Sequence, residues 1–209
     1  MKSKKVFVNV TINQRDFERL DVYQMLMDWN RDGLIHGIGI SVYNRLTDRD
    51  DLFVHSLAPF LRHHSVTLHV IAGLIDYKKL RYLLDGQLPI LILGYKAVRN
   101  GLTYSQTNEN NKQIRENISK LRKNMIYIFG NDQYLINFDN LAIQQLNLRS
   151  IVSEDTWNLF YAGKEGSTTF AMNLVDGTYS LTSMSEETYP IGTKSINEMF
   201  GDLKRKYNV

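Results

Sequence analysis

An α/β fold is what this sequence predicts: an open partial (β/α) barrel of mostly parallel strands with a C-terminal antiparallel β-hairpin. Strand and helix patterns alternate through five strands up to Gly130. The strands are near-continuous apolar runs, the kind that lie in a parallel sheet covered by helices. Five such units are too few for a closed eight-stranded barrel, so the sheet is expected to stay open. The end changes character, because Asp176-Gly177 sits between two alternating segments and favours a tight two-residue turn.

The elements follow in order. Lys5–Asn13 alternates, with Val6, Val8, Val10 and Ile12 on one side and Phe7, Asn9, Thr11 and Asn13 on the other. Asp21–Arg31 reads as an amphipathic helix with Val22, Met25, Leu26 and Trp29 on one face, Asp21 as its N-cap and Gly33 as its stop. His36–Tyr43 is the second strand. Asp50–Arg62 is helical, with a kink or early end expected at Pro59. Val66–Ile75 is the third strand, Tyr77–Leu84 a helix closed by Gly86, and Pro89–Val98 the fourth strand.

Asn100–Asn111 reads as a glycine- and asparagine-rich loop leading into a basic helix that ends near Asn124. Met125–Gly130 (MIYIFG) is expected as the fifth strand. Short helices at Asn140–Asn147 and Glu154–Tyr161 follow, the second capped by Ser153. Thr168–Val175 and Thr178–Ser183 form the hairpin, and Ser195–Tyr207 the last helix. With 209 residues and three prolines, the chain is expected to be one domain over 1–209. Within it, 1–137 would be the partial barrel and 138–209 the helical and hairpin extension.

Composition excludes several classes. The chain has no cysteine, which rules out a disulfide scaffold and fits a reducing compartment. The basic start of the chain runs into an alternating strand rather than a signal peptide, and no window is long and apolar enough for a membrane span. A cytoplasmic protein without membrane contact is the expectation. The formal charge of +3 is mild, but five Lys/Arg against two Glu lie between Glu109 and Asn124. Lys112, Arg115, Lys120, Arg122 and Lys123 are therefore the candidate basic surface, able to follow a nucleic-acid backbone or to remain a solvated face.

Catalytic and metal motifs do not emerge. There is no P-loop, no G-x-S-x-G elbow and no G-x-G-x-x-G in a strand–helix context. His63 and His64 adjoin at a helix end and His69 lies on a strand, too few ligands for a metal site. The acids Asp48, Asp50 and Asp51 suit a helix entry through the macrodipole. Strand alternation instead gathers Asn9, Thr11 and Asn13, then Gly37, Gly39 and Ser41, then Thr67, His69 and Gly73 opposite the large aliphatics. Lys96 falls at the carboxyl end of its strand, where α/β sheets place ligands. Small polar side chains on a concave face are the expected pocket. Twelve tyrosines, among them Tyr95, Tyr104, Tyr127 and Tyr134 near strand ends or loops, suit a protein interface.

The stretch Phe138–Pro190, with FDNLAIQQLN and EDTWNLFYAGKEGSTTFAMNLVDGTYSLTSMSEETYP, resembles the C-terminal part of phage- and prophage-type radical S-adenosylmethionine proteins. VNVTINQRDF, LIHGIGISVYN, VTLHVIAGLID and LPILILGYKAVRNGLTY resemble the family's middle and later strands, so the likeness spans nearly all of the chain. It starts after the strands and loop that carry the family's cluster cysteines. The resemblance implies that Asn13 meets the ribose of S-adenosylmethionine and that Gly37, Gly39 and Ser41 let the backbone approach adenine. Thiolates are what an iron–sulfur cluster requires, and this chain has none. The resemblance therefore implies a non-catalytic binder on a degenerate scaffold, blocking a host machine such as a CRISPR-type defence effector. Its alternatives are the cluster-less half of a split radical enzyme, or an S-adenosylmethionine or nucleotide sensor.

Overall fold

The computed structural model describes residues 7–61, 66–98, 100–161, 163 and 166–208. They form two compact units, Met1–Ile151 and Val152–Val209, each with its own apolar core. The division falls after Ile151, whereas the barrel was expected to give way to its extension at 137/138.

The first unit is built on five parallel strands in chain order: β1 (Asn9–Asn13), β2 (Gly37–Ser41), β3 (Val66–Ile71), β4 (Ile90–Leu93) and β5 (Ile136–Phe138). Each crossover steps the same way, and right-handed crossovers then stack all helices on one face. Burial follows that rule. Ile38, Ile40, Val66, Leu68, Val70, Ile90 and Ile92 are buried, while Thr67, His69, Leu91 and Leu93 on the opposite face are half-buried. The open parallel sheet expected from the alternation is what the chain forms.

The helices of this unit are α1 (Gln14–Phe17), α2 (Leu20–Arg31), α3 (Asp50–Ser56), α4 (Ala58–Leu61), α5 (Tyr77–Asp85), α6 (Asn100–Ser105), α7 (Asn108–Phe129) and α8 (Asn140–Leu146), and α6 alone buries no residue. The break expected near Pro59 lies at Leu57, between α3 and α4. Asp21 is not the N-cap of α2. It sits in the first turn and pairs with Arg19 at 2.7 Å.

The largest departure is Met125–Gly130, expected as a strand and found as the last turns of α7. Ile114, Leu121, Met125 and Ile128 are its buried residues, spaced by seven, four and three, which is one helical stripe. A stripe already anchored by Ile114 and Leu121 costs less to extend than a new strand costs to start. The N-cap of α7 is Thr107, whose side chain accepts from the Asn110 N–H at 3.2 Å. The expected loop at 100–111 is therefore α6 and the first turn of α7. The fifth strand is instead Ile136–Phe138, three residues long.

The second unit comprises α9 (Glu154–Phe160), the strands β6 (Ala171–Asn173), β7 (Thr178–Ser180) and β8 (Tyr189–Pro190), and α10 (Ile196–Tyr207). Ser153 caps α9 as expected, accepting from the Thr156 N–H at 3.2 Å. The hairpin forms, but Asn173 pairs with Thr178, so its loop has four residues rather than two. The Asn173 side chain explains this by accepting from the N–H groups of Val175 and Asp176 at 3.0 and 3.2 Å. β8 adds a third strand to β7.

Tyr179, Met199 and Leu203 form this unit's core. Beside it, the Glu187 carboxylate accepts from Lys206 and from the Tyr207 hydroxyl, the latter at 2.6 Å. These bonds hold Glu187 down to about 2 from its ordinary 4.5. A carboxylate lowered on folding contributes stability that is complete above pH 4.5 and is lost as pH falls toward 2. Glu187→Gln is expected to flatten the acid side of the stability–pH curve in that window. Acid titration by circular dichroism at low salt checks this, since the pair is exposed and screened by ions. An unchanged acid limb contradicts the assignment.

Candidate functional site

The open face of the first sheet carries one polar rung. Strand register aligns Asn13, Ser41, His69, Leu91 and Asn137 across all five strands, with Thr11, Gly39 and Thr67 on the rung beside it. The face expected from alternation is thus assembled, and Gly37 joins it opposite Asn9. Asn137 is an addition. It could not be found from sequence because β5 was placed elsewhere. Gly73, expected on this face, lies beyond the end of β3.

Gly39 has a specific role in this arrangement. A Cβ at Gly39 would lie 2.5 Å from Cε1 and 2.8 Å from Nε2 of His69. The missing side chain is therefore the seat of an imidazole. Burial lowers the His69 pKa from its ordinary 6.5 by disfavouring the charged ring. Asn13 is also committed, since its Oδ1 accepts from the Asp16 N–H at 2.9 Å and its Nδ2 donates to the Asp16 carboxylate at 2.6 Å. It caps α1 rather than pointing a free amide at a ligand.

The loops at the carboxyl ends of the strands are tied down by polar residues that sequence reasoning missed. Buried Gln14 accepts from the Tyr43 N–H at 2.9 Å and donates to Glu18 at 2.8 Å. Gln145 grips both backbone groups of Tyr95, at 2.8 and 2.9 Å. Asp139 accepts from the N–H groups of Gly94 and Ala142 at 2.9 and 2.6 Å. Lys96 is half-buried in the segment after β4, three residues past Leu93. These amides and acids answer backbone groups the strand ends leave open.

A second surface is the outer side of α7. Asn117 fixes the helix by donating to the Gly73 carbonyl at 3.0 Å. Gly73 leaves room for Ile114, whose Cγ2 lies 2.7 Å from where a Cβ would stand. With that side anchored, Lys112, Arg115, Lys120, Arg122 and Lys123 are all exposed. Lys112 pairs loosely with Glu116 at 3.9 Å and Arg115 donates to Asn111 at 2.8 Å. Arg122 and Lys123 have no ion-pair partner among the described residues.

Ile126 and Tyr127 continue the same surface, 67% and 73% exposed. Arg115, Arg122 and Ile126 recur seven and four apart, and Lys123 and Tyr127 four apart, so basic and apolar side chains share adjacent stripes. The signal that could have revealed this was the buried spacing of Ile114, Leu121, Met125 and Ile128, which runs straight through the apparent strand.

Among the described residues no group of three or more His, Cys, Asp or Glu could hold a metal ion, and no helix is long and apolar enough to cross a membrane. His63 and His64 lie outside the described residues. The groups implied by the resemblance fit poorly. A thiolate-held cluster finds no ligand in a cysteine-free chain. For S-adenosylmethionine, Asn13 is spent on a cap and the space over Gly39 is filled by His69. Comparison with protein families, with characterised proteins and with solved structures gives no match.

Proposed function

We propose that this chain is a non-catalytic binding protein that acts by covering a surface of another protein, with the outer side of α7 as its contact. The observation that carries this reading is the exposure of Ile126 and Tyr127 beside Arg122 and Lys123. Burying the Ile126 side chain gains about 1.5–3 kcal/mol, the Tyr127 ring adds a broad amphipathic contact, and nothing in the described residues removes either from water. Tyrosine and arginine are also the side chains most often found at energetic centres of interfaces. The partner this chemistry fits has an apolar depression rimmed by acidic side chains. With the likeness to phage-type proteins, the reading extends to a host target, such as a CRISPR-type defence machine, blocked by occlusion.

The test is capture from host lysate followed by binding measurements with the purified captured protein. Tyr127→Ala is expected to weaken that complex by about 2 kcal/mol, roughly 30-fold, with the fold unchanged. Replacing Lys112, Arg115, Lys120, Arg122 and Lys123 by Gln is expected to slow association more than it shortens complex lifetime. Nucleic-acid binding is the competing use of the same helix. Affinity for RNA or DNA that falls steeply and log-linearly with salt, and disappears in the five-site variant, would overturn the protein-contact reading.

A further inference from the structure

The sheet of the first unit has an edge at β1 that is built to pair again. β2 is its neighbour on one side, and no described strand lies on the other. The backbone groups facing that free side can be identified. The His36 N–H donates to the Val8 carbonyl at 2.7 Å, and the Val8 N–H donates to His36 Nδ1 at 3.2 Å, so Val8 faces the β2 side. Backbone direction alternates along a strand, so Val10 and Ile12 also face β2. The N–H and C=O groups of Asn9 and Thr11, and the N–H of Asn13, then point outward.

Edge strands in stable proteins usually carry a device against further pairing: a proline, an inward lysine, a bulge or extreme shortness. β1 has none of these. Its five residues, NVTIN, contain neither proline nor charge, and their register with β2 runs unbroken from Asn9 to Asn13. The opposite edge differs. β5 has only three residues, and the Phe129 ring lies 5.8 Å from that of Phe138.

The residues of β1 are also self-complementary. Read outward from Thr11, the strand has Val10 and Ile12 as its first neighbours and Asn9 and Asn13 as its second. We propose that two copies of this chain join edge to edge at β1, antiparallel about a two-fold axis at Thr11, making one ten-stranded sheet.

In that pairing Asn9 opposes Asn13 of the second copy, Val10 opposes Ile12, and Thr11 opposes its own equivalent. Side-chain faces are preserved, because odd residues meet odd residues and even meet even. Thr11 exchanges both backbone bonds with its equivalent, since its N–H and C=O are the outward pair. The flanks of Val10 and Ile12, which pack against the core, are covered by β-branched partners, a favourable cross-strand pairing. Phe7, 72% exposed, continues the chain past the pair. A contact of five residues per strand is small, so the expected dissociation constant is on the order of 10 μM.

Sedimentation equilibrium of the full chain tests this. The wild type is expected to pass from monomer to dimer as its concentration rises through the micromolar range. Thr11→Pro is expected to remain monomeric throughout, with an unchanged circular dichroism spectrum and melting temperature. Proline suits this position because the lost N–H faces the free edge, not the ladder with β2. Thr11→Lys is the second variant, placing two ammonium groups opposite each other, and it is expected to lose the dimer equally. Because the chain has no cysteine, Thr11→Cys adds a single thiol. A short bis-maleimide is expected to link it into dimers, but not to link Val175→Cys, which is 95% exposed in the second unit. A wild type that stays monomeric up to about 1 mM overturns the proposal. So does a dimer that survives both Thr11→Pro and Thr11→Lys.

Discussion

Asp50→Ala is expected to lower the unfolding free energy of the first unit by about 3–5 kcal/mol, the largest single-site effect this structure predicts. The Lys79 ammonium and the Asp50 carboxylate form an ion pair whose side chains are 0% and 2% exposed. Asp50 also accepts from the Thr47 N–H at 2.7 Å, joining the loop before α3 to α5. Removing the carboxylate leaves a fully buried ammonium without its counter-charge and a backbone donor without its acceptor. The loss comes from stranding those groups, not from the pair's net worth. The double variant Asp50→Leu with Lys79→Met should therefore recover most of it. Urea unfolding followed by Trp29 checks both variants, in a Trp157→Phe background that silences the second unit's tryptophan. A single variant as stable as the wild type would show that the pair is not buried as described.

Gly94→Ala is expected to cost about 1–3 kcal/mol, toward the upper end. A Cβ on Gly94 would stand 2.4 Å from Cγ of Leu141 and 2.7 Å from the Ala142 backbone nitrogen. The leucine side chain can turn aside, but the first turn of α8 cannot, because Asp139 clamps it. The same clamp ties the Gly94 N–H to Asp139 at 2.9 Å, so displacing α8 also loosens the loop after β4. Gly39→Ala makes a useful contrast. There the obstacle is the end of the half-exposed His69 side chain, which can swing away into solvent. A smaller loss at Gly39 than at Gly94 is the expected order, read from the same urea curves. The reverse order would mean that His69 is held more firmly than α8.

Much of the fold was legible because its signals are local. Period-two alternation placed β1 to β4 and put Asn13, Gly39, Ser41 and His69 on one face, and that face is where the structure holds them. Strand ends were overrun: Val66–Ile75 contracts to Val66–Ile71 and Pro89–Val98 to Ile90–Leu93. Apolar residues past a strand end still need burial, and Tyr95 finds it in a loop rather than a ladder. Met125–Gly130 misled because an apolar run of six residues satisfies either period, and only the preceding turns of α7 resolve it. β5 escaped because three residues carry no usable periodicity.

The candidate surfaces divide in the same way. The five basic residues of α7 were readable as charge, and helical geometry places them on the exposed side whatever the helix packs against. The neighbouring Ile126 and Tyr127 became part of that surface only once the segment proved helical. Asn13 and Gly39 were identified correctly as members of the open face, yet their occupations were invisible in the sequence. A cap on Asp16 depends on where the chain turns after β1, and the seat for His69 depends on the register between β2 and β3.

By itself, then, the sequence determined the alternation of strands and helices, the polar character of one sheet face, the charge on α7 and the absence of thiolate chemistry. Each of these is written in residue type and short spacing, and each survives any arrangement of the elements. Tertiary structure alone decided the partnership of Asp50 with Lys79, separated by 29 residues, and the grip of Gln145 on Tyr95, separated by 50. It also decided that β1 stands at an edge of the sheet, with no described strand paired on its outer side. Contacts of this kind depend on strand order, register and crossover direction, which come from burying the whole apolar surface together rather than from any one segment's preference.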